Sequence, residues 1–78
     1  MDSKSDFKIR KYRDHYVLFN RKSKSGGHTH IHTRSTCYVL VRLVCKKIIP
    51  ESDYLKESAM RISRDEKYIA DIQDIMEN

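Results

Sequence analysis

The chain reads as one α+β domain spanning residues 1–78, a three-stranded antiparallel sheet in its N-terminal part packed on about three C-terminal helices. Three observations point there. Alternating polar and apolar residues are confined to the first 33 positions, helical apolar spacing with capping signals takes over beyond them, and 78 residues allow only one modest core.

Residues 1–6 lack the apolar side chains that would anchor them and are expected to be a disordered N-terminus. Residues 7–13 place Phe7 and Ile9 on one side and Lys8 and Arg10 on the other, as a half-exposed strand requires. Arg13, Asp14 and His15 form a polar turn, and Tyr16, Val17, Leu18 and Phe19 carry the aromatic and β-branched content of a second strand. Residues 21–27, with Arg21, Lys22, Lys24, Gly26 and Gly27, read as a mobile loop in which cations repel and glycine permits positive φ. His28 to Thr33 alternates without a break, which puts His28, His30 and His32 on one face and Thr29, Ile31 and Thr33 on the other. Ile31 marks the inner face, so the histidines point outward.

The helical part is expected over 35–77. Cys37, Leu40, Val41, Val44, Cys45 and Ile48 fit a helical stripe over 36–48, although the β-branched content there also suits a strand. Helix is favoured because Ser35 or Thr36 can cap its start, Lys46 and Lys47 suit its negative end, and Pro50 gives a reason to stop. Apolar residues nearly all round predict the most buried element of the fold. Ser52 caps a second helix bearing Leu55, Ala59 and Ile62. Ser63 and Glu66 form a capping box ahead of a third, whose stripe is Tyr68, Ile69, Ile72, Ile75 and Met76.

The formal net charge is +5, but its distribution says more. Twelve Lys/Arg stand against three acids over 1–47, and four stand against eight over 48–78. A basic half attracts phosphate and an acidic half repels it, so nucleic-acid contact belongs on the N-terminal half. Two cysteines are too few for a disulfide scaffold. On a helix Cys37 and Cys45 lie about 12 Å apart along the axis, too far for a bridge, so a reducing, cytoplasmic setting is expected. The longest apolar run, Cys37 to Val41, falls well short of the roughly 20 residues that span a bilayer, and the N-terminus lacks a signal-peptide core, so no membrane association is expected.

The motif that most invites chemistry is His28, His30 and His32, since imidazoles two apart on a strand can converge on a metal ion. Closed structural zinc wants four ligands, however, and Cys37 lies across a turn with Cys45 buried, so no cofactor is expected and the three histidines stand as candidates only. His-x-Thr patterns also resemble phosphoesterase motifs, but a second facing copy and a nearby carboxylate in sequence are lacking, and no catalytic residues are assigned. Tyr12, Tyr16 and Phe19 interleave with Arg10, Lys11, Arg13 and Arg21, the mixture by which single-strand binders stack bases and neutralise phosphates. Phe7 and Phe19 are the better core candidates and Tyr12 the one for an exposed role.

Gly27 to Ile31 (Gly-His-Thr-His-Ile), a buried helix ending at Ile49 and Pro50, the Ser-Asp-Tyr-Leu of 52–55 and the Arg-Ile-Ser-Arg-Asp-Glu-Lys-Tyr of 61–68 together resemble short phage and mobile-element proteins of Gram-positive bacteria. The likeness covers roughly residues 16–76. It implies a stoichiometric binder, a class that includes small regulators and anti-CRISPR inhibitors of host defence.

The expectation is a small non-catalytic cytosolic regulator whose basic sheet face engages nucleic acid, or a nucleic-acid-processing protein, through Lys8, Arg10, Tyr12, Lys22, Lys24, His28, His30 and Arg34. The cations attract, Tyr12 stacks, and the histidines hydrogen-bond more strongly as they gain charge in mild acid. Two alternatives are a protein antagonist using acidic helices, with Asp71 and Asp74, as a phosphate mimic, and a metal protein built on the histidine strand. A homodimer pairing basic half with acidic half is compatible with the same sequence.

Overall fold

The computed structural model describes residues 2–23 and 26–78. Three strands, β1 (Phe7–Lys11), β2 (Tyr16–Asn20) and β3 (His28–Ile31), form an antiparallel sheet in the order β1-β2-β3, and three helices follow, α1 (Arg34–Lys46), α2 (Asp53–Ile62) and α3 (Glu66–Glu77). The α+β architecture is the one expected. The register places Ile9, Leu18 and Thr29 in one row and Lys11, Tyr16 and Ile31 in the next on a common face. Leu18, Thr29 and Ile31 are fully buried there. Leu18 and Ile31 share one core with Cys37, Leu40 and Val44 of α1, Ala59 and Ile62 of α2, and Tyr68 and Ile72 of α3. Thr29, the polar member of the inner rows, donates from Oγ1 to Ser58 Oγ at 3.0 Å, so its burial leaves no unmet hydroxyl.

Helices α1 and α2 therefore lie against this face and α3 packs on α2, while the rows containing Lys8, Phe19 and His28 and Arg10, Val17 and His30 occupy the other face. Strand boundaries are tighter than the alternation suggested. β1 stops at Lys11 because the Tyr12 N–H turns to the His15 carbonyl at 2.9 Å. β3 stops at Ile31, and Thr33 leaves the strand to cap α1, its Oγ1 accepting from the Thr36 N–H at 3.2 Å. Thr33 thus takes the role expected of Ser35 or Thr36.

Pro50 does not end α1. The helix stops at Lys46, where Lys47 adopts left-handed geometry (φ 60°, ψ 35°) and the Ile48 N–H reaches back to the Leu43 carbonyl at 2.9 Å. Nor is α1 buried all round. Cys37, Leu40, Val41 and Val44 fill one stripe, while Tyr38 is 55% and Val39 50% exposed, because a three-stranded sheet is wide enough to cover only one side of a helix. Cys37 is buried, Cys45 half-buried, and both are free thiols. Ser52 caps α2 as read, accepting from the Leu55 N–H at 3.1 Å. Asp65, not Ser63, caps α3 by accepting from the Tyr68 N–H at 3.0 Å.

Ser63 is used elsewhere, and over the described residues 2–6 the expected disordered N-terminus is overturned. Residues 4–6 form a 3-10 turn, and Asp2 and Asp6 are buried. The Asp2 carboxylate accepts from Ser63 Oγ at 2.6 Å, the Arg64 N–H at 2.9 Å, Lys47 Nζ at 3.1 Å and Asn20 Nδ2 at 3.3 Å. An ionised carboxylate offers enough lone pairs for all four donors. The loop between β2 and β3 is tied at both ends: the Asn20 N–H donates to the Gly27 carbonyl at 2.9 Å, and the Gly27 N–H to Ser23 Oγ at 3.0 Å. A Cβ on Gly27 would stand 2.6 Å from the Arg61 carbonyl oxygen, so glycine is what lets this hairpin close on α2. Residues 24 and 25 lie outside the described residues.

Candidate nucleic-acid interface

With the helices on the opposite side, the outer face of the sheet is lined by side chains that alternation alone selects. Lys8 and Arg10 come from β1, Val17 and Phe19 from β2, and His28 and His30 from β3. Tyr12 and His15 join them from the turn between β1 and β2. The rings touch in sequence across the sheet. Tyr12 stacks on His15 (centroids 5.5 Å apart, planes 12° from parallel), His15 meets His30 at 5.1 Å, His30 meets His28 edge-on at 5.5 Å, and His28 meets Phe19 at 6.3 Å. The Arg10 guanidinium carbon lies 5.7 Å from the centroid of the Phe19 ring, a cation–π contact.

Beneath the rings Val17 is only 4% exposed. It floors a shallow depression of about 420 Å³ walled by Tyr12, His15, Phe19, His28 and His30. A neighbouring hollow of about 360 Å³ shares His15 and His30 and adds Asp14, His32 and Tyr54. The Tyr54 hydroxyl donates to the His30 carbonyl at 2.6 Å and so fixes the β3 backbone beside α2.

Two imidazoles are oriented by their partners. His15 Nδ1 lies 2.8 Å from Asp14 Oδ1, and His28 Nδ1 lies 3.1 Å from the Gly26 carbonyl. Both partners only accept, so each Nδ1 carries the proton and Nε2 is left for a ligand. The hydrogen bond from His15 holds the Asp14 carboxyl below the usual carboxylate value. This carboxylate beside the histidines was not foreseen from the sequence, because Asp14 and His30 are brought together only by strand pairing.

Electrostatics favour an anion on this face. Among the described residues Lys8, Arg10, Arg13, Arg21 and Lys22 make no ion pair, whereas acids of the C-terminal half engage Lys47, Lys56 and Lys67. Lys47 bridges Asp2 at 3.1 Å and Asp65 at 3.2 Å. Burial alone would push the Asp2 carboxyl up, but hydrogen bonds from Ser63, the Arg64 N–H and Lys47 outweigh it and hold the group below 3.8. The pairs of the C-terminal half are thus made with its own cations and with Lys47, and among the described residues none of its acids reaches the hairpin cations.

Of the residues singled out from the sequence, Lys8, Arg10, Tyr12, His28 and His30 share the face. Arg34 does not: its guanidinium lies 5.6 Å from the Tyr16 ring, and the register puts Tyr16 on the helix-covered side. Lys22 sits beyond the end of β2, where its carbonyl accepts from Arg64 Nη1 at 3.4 Å. Lys24 falls outside the described residues. His32 follows the end of β3, and among the described residues no three of His, Cys, Asp or Glu are disposed to hold a metal ion, the trio His28, His30 and His32 included.

Sequence reasoning missed Val17, Phe19 and His15. Phe19 was expected in the core, yet Leu18 points inward and alternation then sends Val17 and Phe19 outward, while the inner end of the strand is taken by Asn20, whose Nδ2 donates to the Ile62 carbonyl at 2.7 Å. No helix among the described residues is long and apolar enough to cross a membrane. Comparison with protein-family models, curated proteins and solved structures found no match.

Proposed function

We propose that this chain is a small regulator that binds nucleic acid through the open face of its sheet, by surface docking and without catalysis. The observation that carries this is the coincidence of unpaired cations, Lys8 and Arg10, with an exposed run of aromatic rings on the side of the sheet that no helix covers. Lysine and arginine supply the phosphate attraction that dominates such affinity, and rings supply contact area that water does not compete for. The acidic-helix alternative has less in its favour, since of its two named acids Asp71 is already engaged by Lys67 at 3.2 Å, which leaves Asp74 as the free charge of the pair.

Fluorescence anisotropy with labelled oligonucleotides at several salt concentrations tests the proposal. The wild-type protein should bind with an affinity that falls steeply with salt. The double change Lys8→Glu and Arg10→Glu should weaken binding by about tenfold or more and flatten the slope of log K against log salt by about one for each phosphate that is no longer neutralised. Affinity and slope unaltered by that change would remove the sheet face from the role.

A further inference from the structure

Resting on the reading of the sheet face as a nucleic-acid surface, we infer that its ligand is single-stranded, DNA or RNA, with unpaired bases seated on the ring run and one of them entering the Val17-floored depression. Three features of the face separate a strand from a duplex. The first is the composition of its centre. A surface that reads only a duplex backbone needs charge, but here the middle of the sheet is Val17 and Phe19 walled by Tyr12, His15, His28 and His30, with the cations Lys8 and Arg10 on the β1 side. Phosphates of a duplex would leave that apolar floor facing water or a charged backbone. An unpaired base covers it with a flat, weakly polar face of matching chemistry.

The second feature is the spacing of the rings. Neighbouring centroids are 5.1 to 6.3 Å apart, too far for the rings to shield one another completely and close enough for one strand to run from ring to ring. The Tyr12 and His15 rings lie nearly parallel while His28 and His30 meet edge to face, so bases would stack against the former pair and pack against the latter. Arg10, already over the Phe19 ring, is placed to sandwich a base or reach the phosphate that follows it.

The third is polar. His15 and His28 each have Nδ1 committed to a fixed acceptor, which turns Nε2 of both rings into the group offered to a ligand. With Nδ1 protonated, Nε2 of a neutral ring accepts, and the N–H donors of the Watson–Crick edge, free in an unpaired base and consumed in a duplex, add to the partners a single strand offers these two nitrogens.

The experiment compares labelled oligothymidylate and oligouridylate of about twelve nucleotides with a duplex of the same length, against the full chain and two variants. One variant carries Tyr12→Leu and Phe19→Leu, which removes ring faces and keeps apolar bulk; the other carries Lys8→Glu and Arg10→Glu. Circular dichroism confirms that each variant is folded. The inference predicts at least tenfold tighter binding to a single strand than to the duplex, a loss of about tenfold in the leucine variant with the salt slope retained, and upfield shifts of the His28 and His30 ring protons on adding oligothymidylate. Tight binding of either single strand with these effects supports it. Equal affinity for strand and duplex, with the leucine variant unimpaired, overturns this inference while the charge-based role of the face stands. Absence of binding to all three oligonucleotides overturns both.

Discussion

Asp2 ties the N-terminal segment to three other parts of the fold. Its carboxylate joins the N-terminus, the end of β2, the end of α1 and the segment between α2 and α3 through four hydrogen bonds, and its side chain has no exposure to water. Removing the acceptor with Asp2→Ala leaves several donors without a partner and should cost about 2–3 kcal/mol; Asp2→Asn, which keeps one carbonyl oxygen, should cost less. The carboxyl is held below 3.8 in the folded chain, so as pH falls the unfolded chain takes up the proton first. Its contribution is therefore complete above about pH 4 and lost as pH drops through the folded value. Urea midpoints compared at about pH 7 and about pH 3 should fall with acid in the wild type and fall less in Asp2→Asn. An equal drop in both proteins would show that other carboxylates carry the acid sensitivity. Nothing in the sequence marked Asp2, because a lone acid near a terminus acquires meaning only from donors that are up to 62 positions away.

The order of the three strands and three helices follows from periodicity: β1, β2 and the helices carry apolar stripes and β3 an alternation around Ile31, although the β-branched content of α1 also suited a strand. The element ends were not legible to the same degree. Thr33, Ser35 and Thr36 are chemically equivalent as caps, and the choice of Thr33 is made by where β3 loses its partner on β2. Ser63 and Asp65 compete in the same way; the Ser63 hydroxyl is anchored by donating to the buried Asp2 while its oxygen accepts from the Asp65 N–H at 3.0 Å, which leaves Asp65 to cap the helix. The C-terminal end of α1 gives this a measurable form. Lys47 holds φ at 60°, a conformation that costs an L side chain about 1 kcal/mol and a glycine almost nothing. It persists there because its ammonium pairs with Asp2 and Asp65 and lies 5.6 Å from the centroid of the Tyr68 ring. Lys47→Ala and Lys47→Gly both delete the ammonium, but only glycine relieves the backbone. The alanine variant should therefore be the less stable of the two by about 1 kcal/mol in urea unfolding, even though alanine is the better helix former. The reverse order would mean that Lys47 continues the helix in solution. The candidate site was half legible for a related reason: the alternation of His28 and His30 is visible locally, whereas the ring run with His15 and Phe19 needs the register of β1, β2 and β3 together.

At the scale of the molecule the question is whether binding follows net charge or its placement. A formal charge of +5 attracts any polyanion from a distance, and that attraction alone would imitate a weak nucleic-acid binder. Placement differs from net charge in a way that salt exposes. At physiological ionic strength the screening length is about 8 Å, so a cation contributes fully only where phosphate approaches within that reach. Lys8 and Arg10 stand on the open face of the sheet, whereas Arg42 and Lys46 are also exposed cations but lie on α1, which covers the other face. Reversing either pair to glutamate removes the same amount of charge. If the face is the docking surface, Lys8→Glu with Arg10→Glu should lower affinity for an oligonucleotide by about tenfold or more near 0.15 M salt, while Arg42→Glu with Lys46→Glu should change it by no more than about threefold. Below about 0.02 M salt the screening length exceeds about 20 Å and the two variants should converge, since every charge on so small a molecule is then felt at once. Equal losses at both salt concentrations would mean that the polyanion has no preferred side of this protein, and that the ring-bearing face is a surface without a ligand of that kind.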